Sequence, residues 1–171
     1  MSHNLYTINN NGGDVASYHG AGLGVLYIGH GGTSTYPTTL NDGDTFEWYD
    51  PNPINTVGAT LGTGSATGWI DSITLPAGTY WFRGYCAVPV IGTGFLRIRL
   101  AEGATDKAQF FGLTPSYYND GGFQSARSLN HFTVLSSSTV ISFTVRPISV
   151  TIASDKDRIS ESQYLFIKRI A

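Results

Sequence analysis

From Trp69 to Leu100 the chain falls into three runs of strand-like alternation separated by turn residues. The first, Trp69 to Leu75, ends at Pro76, which cannot donate to a central ladder, and Gly78 can supply the backbone freedom of a tight turn. The second runs from Thr79 to Pro89 and the third from Phe95 to Leu100, with a glycine-containing break predicted between them. In the third run Leu96, Ile98 and Leu100 fall on one face and Phe95, Arg97 and Arg99 on the other, the pattern of a strand with one buried side. In the second, Tyr80, Phe82, Cys86 and Val88 share a face, while Trp81, Arg83 and Tyr85 share the opposite one. Both faces carry aromatics, so the second face also calls for a cover.

The same pattern predicts strands at Leu23–Ile28, Thr45–Tyr49, Gln109–Leu113, Phe123–Leu135, Thr139–Val145 and Tyr164–Ile170. Ser136 to Ser138 reads as a turn, and Pro147 is expected to interrupt the run that Ile148, Val150 and Ile152 resume. In the last strand Leu165 and Ile167 oppose Tyr164, Phe166 and Lys168. A loop of small residues is expected at 30–44, a glycine-threonine loop at 57–68, a long loop after Leu100 and a charged loop at 154–162. About eight to ten short strands with hardly any helix define an all-β protein, a two-sheet sandwich or barrel. No fixed-period repeat points to a propeller or solenoid. Residues 1–22 are rich in Asn, Gly and Ser and read as a flexible N-terminal attachment arm, leaving 23–171 as one β domain.

Composition agrees. The 171 residues fit one domain, which at this size buries roughly 70% of its unfolded surface without a staple. Glycine (21), tyrosine (10) and phenylalanine (9) are abundant, and charged residues make up only 13% against a usual share of about 25%. So little charge suggests that part of the surface is covered by other copies or proteins. A net charge of −2 without a basic run argues against nucleic acid as the main partner. One cysteine excludes an intrachain disulfide. No apolar run approaches the ~18 residues of a membrane span, and the start, Met1-Ser-His-Asn, lacks the charged and apolar regions of a secretory signal. The chain is expected to remain in the cytoplasm or to leave by another route, such as lysis.

Few residues offer chemistry. His30-Gly31-Gly32 has the composition of an esterase oxyanion loop, but no Gly-x-Ser-x-Gly elbow accompanies it. Gly20, Gly22 and Gly24 lack the strand and helix that a dinucleotide loop requires. Cys86 reads as a small core residue, and His3, His19, His30 and His131 show no ligand spacing, with His131 structural or interfacial. Asp42-Gly-Asp44 and Asp155-Lys-Asp157 lack a full calcium ligand set. No catalytic residue, metal or cofactor is assigned, and the chain is read as a non-enzyme. The informative excess is aromatic. Trp81, Arg83, Tyr85, Tyr164 and Phe166 form a candidate subunit interface, and Tyr117, Tyr118, Asn119 and Asp120 a candidate receptor or glycan contact on a loop tip.

Ile73-Thr-Leu-Pro-Ala-Gly-Thr-Tyr80, Arg97-Ile-Arg-Leu100, the run Ser125 to Leu135, Thr139-Val-Ile-Ser-Phe143 and the closing Tyr164-Leu-Phe-Ile-Lys-Arg-Ile-Ala171 follow in that order. Together they resemble the C-terminal jelly-roll module of bacteriophage fibre, spike and tail structural proteins, many of which end in a similar Ile-x-Lys-Ile-Ala strand. More distantly they are similar to the heads of C1q and tumour necrosis factor. The resemblance covers Trp69 to Ala171. It departs from the C1q pattern at Leu135-Ser-Ser-Ser-Thr139, where a Gly-Asp turn is usual, and in its charged ending. It implies an antiparallel two-sheet jelly roll, a homotrimer and a virion structural role: capsid decoration, head fibre or spike, or tail fibre, with contact to the host surface. It carries no catalytic residues. The alternative is a soluble C1q-like or carbohydrate-binding adhesion module.

Overall fold

The computed structural model describes residues 24–29, 41–113, 123–152 and 163–170; at 86–96, 111–113, 123–128 and 147–152 only the backbone is described. In chain order the strands are β1 (Val25–Ile28), β2 (Trp48–Tyr49), β3 (Ile54–Asn55), β4 (Thr60–Leu61), β5 (Trp69–Ile70), β6 (Ser72–Leu75), β7 (Gly78–Glu102), β8 (Thr105–Leu113), β9 (Phe123–Leu135), β10 (Thr139–Ile152) and β11 (Gln163–Arg169). All pairings are antiparallel. The all-β, two-sheet antiparallel architecture expected from the sequence is the one observed, although several strands are long rather than short.

β7 joins the two sheets. Its first half, Gly78 to Pro89, lies between β9 and β11, and β11 continues outward to β1 and β3. Its second half, from Val90 to Glu102, lies against β10, and from Phe95 onward also against β8; β10 continues to β6 and β4. The two halves face one another, because a Cβ built on Gly84 in the first would sit 2.7 Å from Cζ of Phe110 on β8. The expected break between Pro89 and Phe95 is therefore absent: Gly92 is held in the ladder opposite Val150. A glycine ends a strand only if no neighbour takes its backbone groups, and here β9 and then β10 supply partners through the bend.

Other departures have similar causes. β10 runs through Pro147, which stands opposite Leu96, with a register shift between Ile148 and Val150. Among the described residues, backbone bonds on the other side of β10 reach only Val145, whose carbonyl accepts from the Gly43 N–H and whose N–H donates to the Asp44 carbonyl, so the missing N–H of Pro147 removes no second ladder bond. The first part of the long loop expected after Leu100 is a tight hairpin in which Glu102 pairs with Thr105 and Gly103 takes φ 58°, while 114–122 lie outside the described residues. The run Trp69 to Leu75 divides at Asp71, since β5 pairs with β2 while β6 pairs with β10 and β4. Strand at Thr45–Tyr49 shrinks to β2 plus a bridge from Thr45 to Thr144, and the 57–68 loop holds β4.

The core lies between the sheets. Leu26, Ile28, Tyr80, Phe82, Leu129, Leu165 and Ile167 come from the first sheet, and Ile73, Leu75, Ile98, Leu100, Phe110, Ile141, Phe143 and Val145 from the second. Trp48 plugs the space beside them, with Phe46, Phe143 and Phe110 at ring distances of 5.2, 5.1 and 5.9 Å. Gly84 is a seat for the Phe110 ring. Gly84→Ala is expected to cost about 1–3 kcal/mol by overpacking. Adding Phe110→Leu should recover part of that loss in chemical denaturation, whereas purely additive losses would show that the ring does not rest on the glycine.

Candidate functional site

Alternation along four strands gives the first sheet a second, outward face. Burial along β11 alternates from Gln163 to Ile167, with Leu165 and Ile167 buried and Tyr164, Phe166 and Lys168 partly exposed, as expected. In register, Lys168 lies opposite Trp81, Phe166 opposite Arg83 and Tyr164 opposite Tyr85. On the other side of β7, Phe132 lies opposite Trp81 and Asn130 opposite Arg83. The five residues named as a candidate interface, Trp81, Arg83, Tyr85, Tyr164 and Phe166, thus stand together on one surface.

Two aromatic groups occupy this face. Trp81 stacks on Phe132 at 6.0 Å and meets the edge of Phe166 at 6.1 Å. Its indole Nε1 donates to Asn130 Oδ1 at 2.6 Å, which fixes the ring while leaving the apolar cluster outward. Further along, Tyr27, Tyr164 and Tyr85 form a row across three strands, with centroid spacings of 6.4 and 6.3 Å and near-parallel rings. Phe132 is 61% exposed and Val134 74% exposed. Phe132, Val134 and Tyr27 were missed in the sequence. The signal was present in β9, where Leu129 and Leu135 fall on one parity and Phe132 and Val134 on the other.

One end of this face is braced by a buried carboxylate. Asp50, 4% exposed, accepts from the Gly29 N–H at 3.0 Å and from the Asn52 N–H at 2.9 Å. It thereby ties the end of β1 to the corner after β2. Burial raises the Tyr27 phenol above its ordinary pKa, and the charges of Asp50 and Tyr164 push the same way. Burial also raises Tyr80, although Arg169 acts against it, and the Tyr80 hydroxyl donates to the Pro76 carbonyl at 2.8 Å.

The remaining candidates separate. His131 is half-buried beside Phe82, with Nε2 at 3.3 Å from Glu102 Oε1, and Lys107 reaches the other oxygen of Glu102 at 3.7 Å. This is a structural clasp between the sheets. Asp44 accepts from the Asn41 N–H at 2.6 Å, and Asp42 lies 3.5 Å from Arg146. Among the described residues no group of three His, Cys, Asp or Glu side chains could hold a metal ion, and no helix is long and apolar enough to cross a membrane. Tyr117, Tyr118, Asn119 and Asp120, the arm at 1–22, His3, His19, His30 and the pair Asp155 and Asp157 lie outside the described residues, as does the side chain of Cys86.

No protein-family model matches the chain, and no curated protein matches it. Solved structures do. Eiger TNF from S. frugiperda aligns with TM-score 0.55 at 12% identity, over 87% of this chain and 92% of that one. Murine APRIL aligns with TM-score 0.50 at 10% identity, over 86% and 99%. The PRD1 vertex protein P5 aligns with TM-score 0.45 at 12% identity, over 86% and 97%. At such identities likeness establishes fold alone. The chain has the C1q/TNF-like jelly-roll fold.

The two raised phenols give a pH expectation. A neutral tyrosine favoured in the folded state contributes stability that is complete below its unfolded pKa of about 10 and is lost as pH rises through the higher folded value. Thermal denaturation between pH 8 and 11 should show this alkaline fall, and Tyr27→Phe with Tyr80→Phe should flatten it.

Proposed function

We propose that this chain is a bacteriophage virion structural protein whose jelly roll assembles as a homotrimer through the outer face of the first sheet. The observation that carries the proposal is that face. Phe132 and Val134 are largely exposed, and Trp81, Phe166, Tyr164 and Tyr85 extend the surface beside them. Contiguous aromatic surface of this kind marks an interface more often than a solvated side. A face built from the middle of a sheet suits cyclic closure, in which each copy covers the next. The viral part of the reading rests on the resemblance of Trp69 to Ala171 to phage fibre and spike modules. In this reading residues 1–22 attach the trimer to other virion proteins as a capsid decoration, head fibre, spike or tail fibre component. Tyr117, Tyr118, Asn119 and Asp120 would then meet a host surface glycan or protein. The protein would be made in the host cytoplasm and carried on the virion.

Light scattering at micromolar concentration should report three chains per particle, and mass spectrometry of purified virions should find the protein. A stable monomer would overturn the assembly; a soluble protein that binds glycans and is absent from virions would favour the adhesion module instead. Removing residues 1–20 should leave the melting temperature unchanged and abolish incorporation into particles. The face itself is tested by neighbouring substitutions on β11. Ile167, fully buried, should cost on the order of 2–5 kcal/mol of fold stability on conversion to alanine. Phe166→Ala should weaken association and leave the β signature of each subunit intact, as read by sedimentation and circular dichroism.

A further inference from the structure

The outer face of the second sheet has a different chemistry. With Ile98 and Leu100 turned to the core, β7 turns Arg97 and Arg99 outward. β10 sets Arg146 directly opposite Arg97 and Thr144 opposite Arg99. On the other flank β8 sets Gln109 opposite Arg99. Three guanidinium groups from adjacent strands therefore share one surface, although no run of basic residues announces it in the sequence. Arg99 and Arg146, diagonal neighbours across β7 and β10, are the two whose guanidinium groups reach the rim of this surface.

Among the described residues, the carboxylates of Asp106 and Asp42 lie close by at the rim. Asp106 Oδ2 is 2.5 Å from Arg99 Nη1 and 47% exposed, and Asp42 Oδ1 is 3.5 Å from Arg146 Nη1 and 67% exposed. Ion pairs this exposed are weak and exchange readily for another anion. A guanidinium presents a planar fork that matches a carboxylate through two parallel hydrogen bonds. Thr144 and Gln109 place a hydroxyl and a carboxamide beside the forks, the groups that recognise sugar hydroxyls.

We infer that this face binds an acidic saccharide, its carboxylate held by Arg99 and Arg146 in place of Asp106 and Asp42. A continuous polyphosphate strand fits less well, because it would need a longer basic track and the whole chain carries −2. The face lies on the side of the sandwich away from Trp81 and Phe132, so it stays open if copies associate through the first sheet. Binding by one chain does not depend on that association.

The test is calorimetric titration of the full chain with tetragalacturonate, its methyl ester and a single-stranded oligonucleotide. The free acid should bind, and its methyl ester should bind at least about tenfold more weakly, as should Arg99→Gln with Arg146→Gln toward the free acid. Asp42→Asn with Asp106→Asn should tighten binding about threefold or more, by removing the competing carboxylates. A misfolded variant could not reproduce that gain. The assignment is overturned if wild-type protein does not bind the acid, if the ester binds equally, if the folded arginine variant binds as wild type, if the aspartate variant gains nothing, or if the oligonucleotide binds more tightly than the saccharide.

Discussion

The contact of the Phe110 ring with Gly84 is the constraint on which the sandwich depends. β7 is one covalent strand serving two sheets, and its halves can face each other only if the inner surfaces fit at close range. A residue with a Cβ at position 84 would meet that ring at 2.7 Å. The ring also contacts Trp48 and Phe143, so the glycine sets the depth of the aromatic cluster that fills the gap between the sheets. Close-packed interiors transmit such a displacement, because there are few voids to absorb it. The register shift between Gly84 and Cys86 lies beside the same point, where the strand starts to turn toward the second sheet.

Much of this was legible as alternation. Leu165 and Ile167 inside with Tyr164 and Phe166 outside, Ile141, Phe143 and Val145 inside, and Trp81, Arg83 and Tyr85 outside all follow from a period of two once one face is buried. Two of the departures fall at glycine and proline. Gly92 and Pro147 read as interruptions because their local preferences disfavour strands, yet both lie in ladders supplied by strands remote in sequence. Local preference yields to pairing when a partner stands ready, and the partner is not visible from a window of ten residues. The second sheet's arginines were hidden for the same reason. Arg97 and Arg146 become neighbours only through the register of β7 and β10.

The two outer faces divide the chemistry of a chain with few charges. The first sheet shows tryptophan, phenylalanine and tyrosine, with Arg83 and Lys168 among them; the second shows Arg97, Arg99 and Arg146 beside Asp42 and Asp106. Apolar surface gains by being removed from water, while a charged surface loses unless each group finds a partner. The same sandwich therefore has one side suited to permanent burial and one suited to reversible polar contact. A jelly roll makes this separation simple, since residues two apart on one strand share a face and neighbouring strands extend it.

Strand order sets when the aromatic face comes into being. β11 lies between β1 and β7, so Tyr27, Tyr164 and Tyr85 become a row only after it has entered the first sheet. Phe166 reaches the edge of Trp81 by the same step. Pairing β11 with β1 joins segments more than a hundred residues apart, as the hydrogen bond from the Arg169 N–H to the Gly24 carbonyl shows. Non-local closure of this kind is slow, because loop entropy is lost before the contacts form. Until it is complete, the sheet has a gap where β11 belongs, and β1 and β7 present open edges of the sort that promote wrong pairing. If copies associate through the outer face as proposed, that step follows folding of the subunit, because the strand that completes the core also completes the aromatic surface.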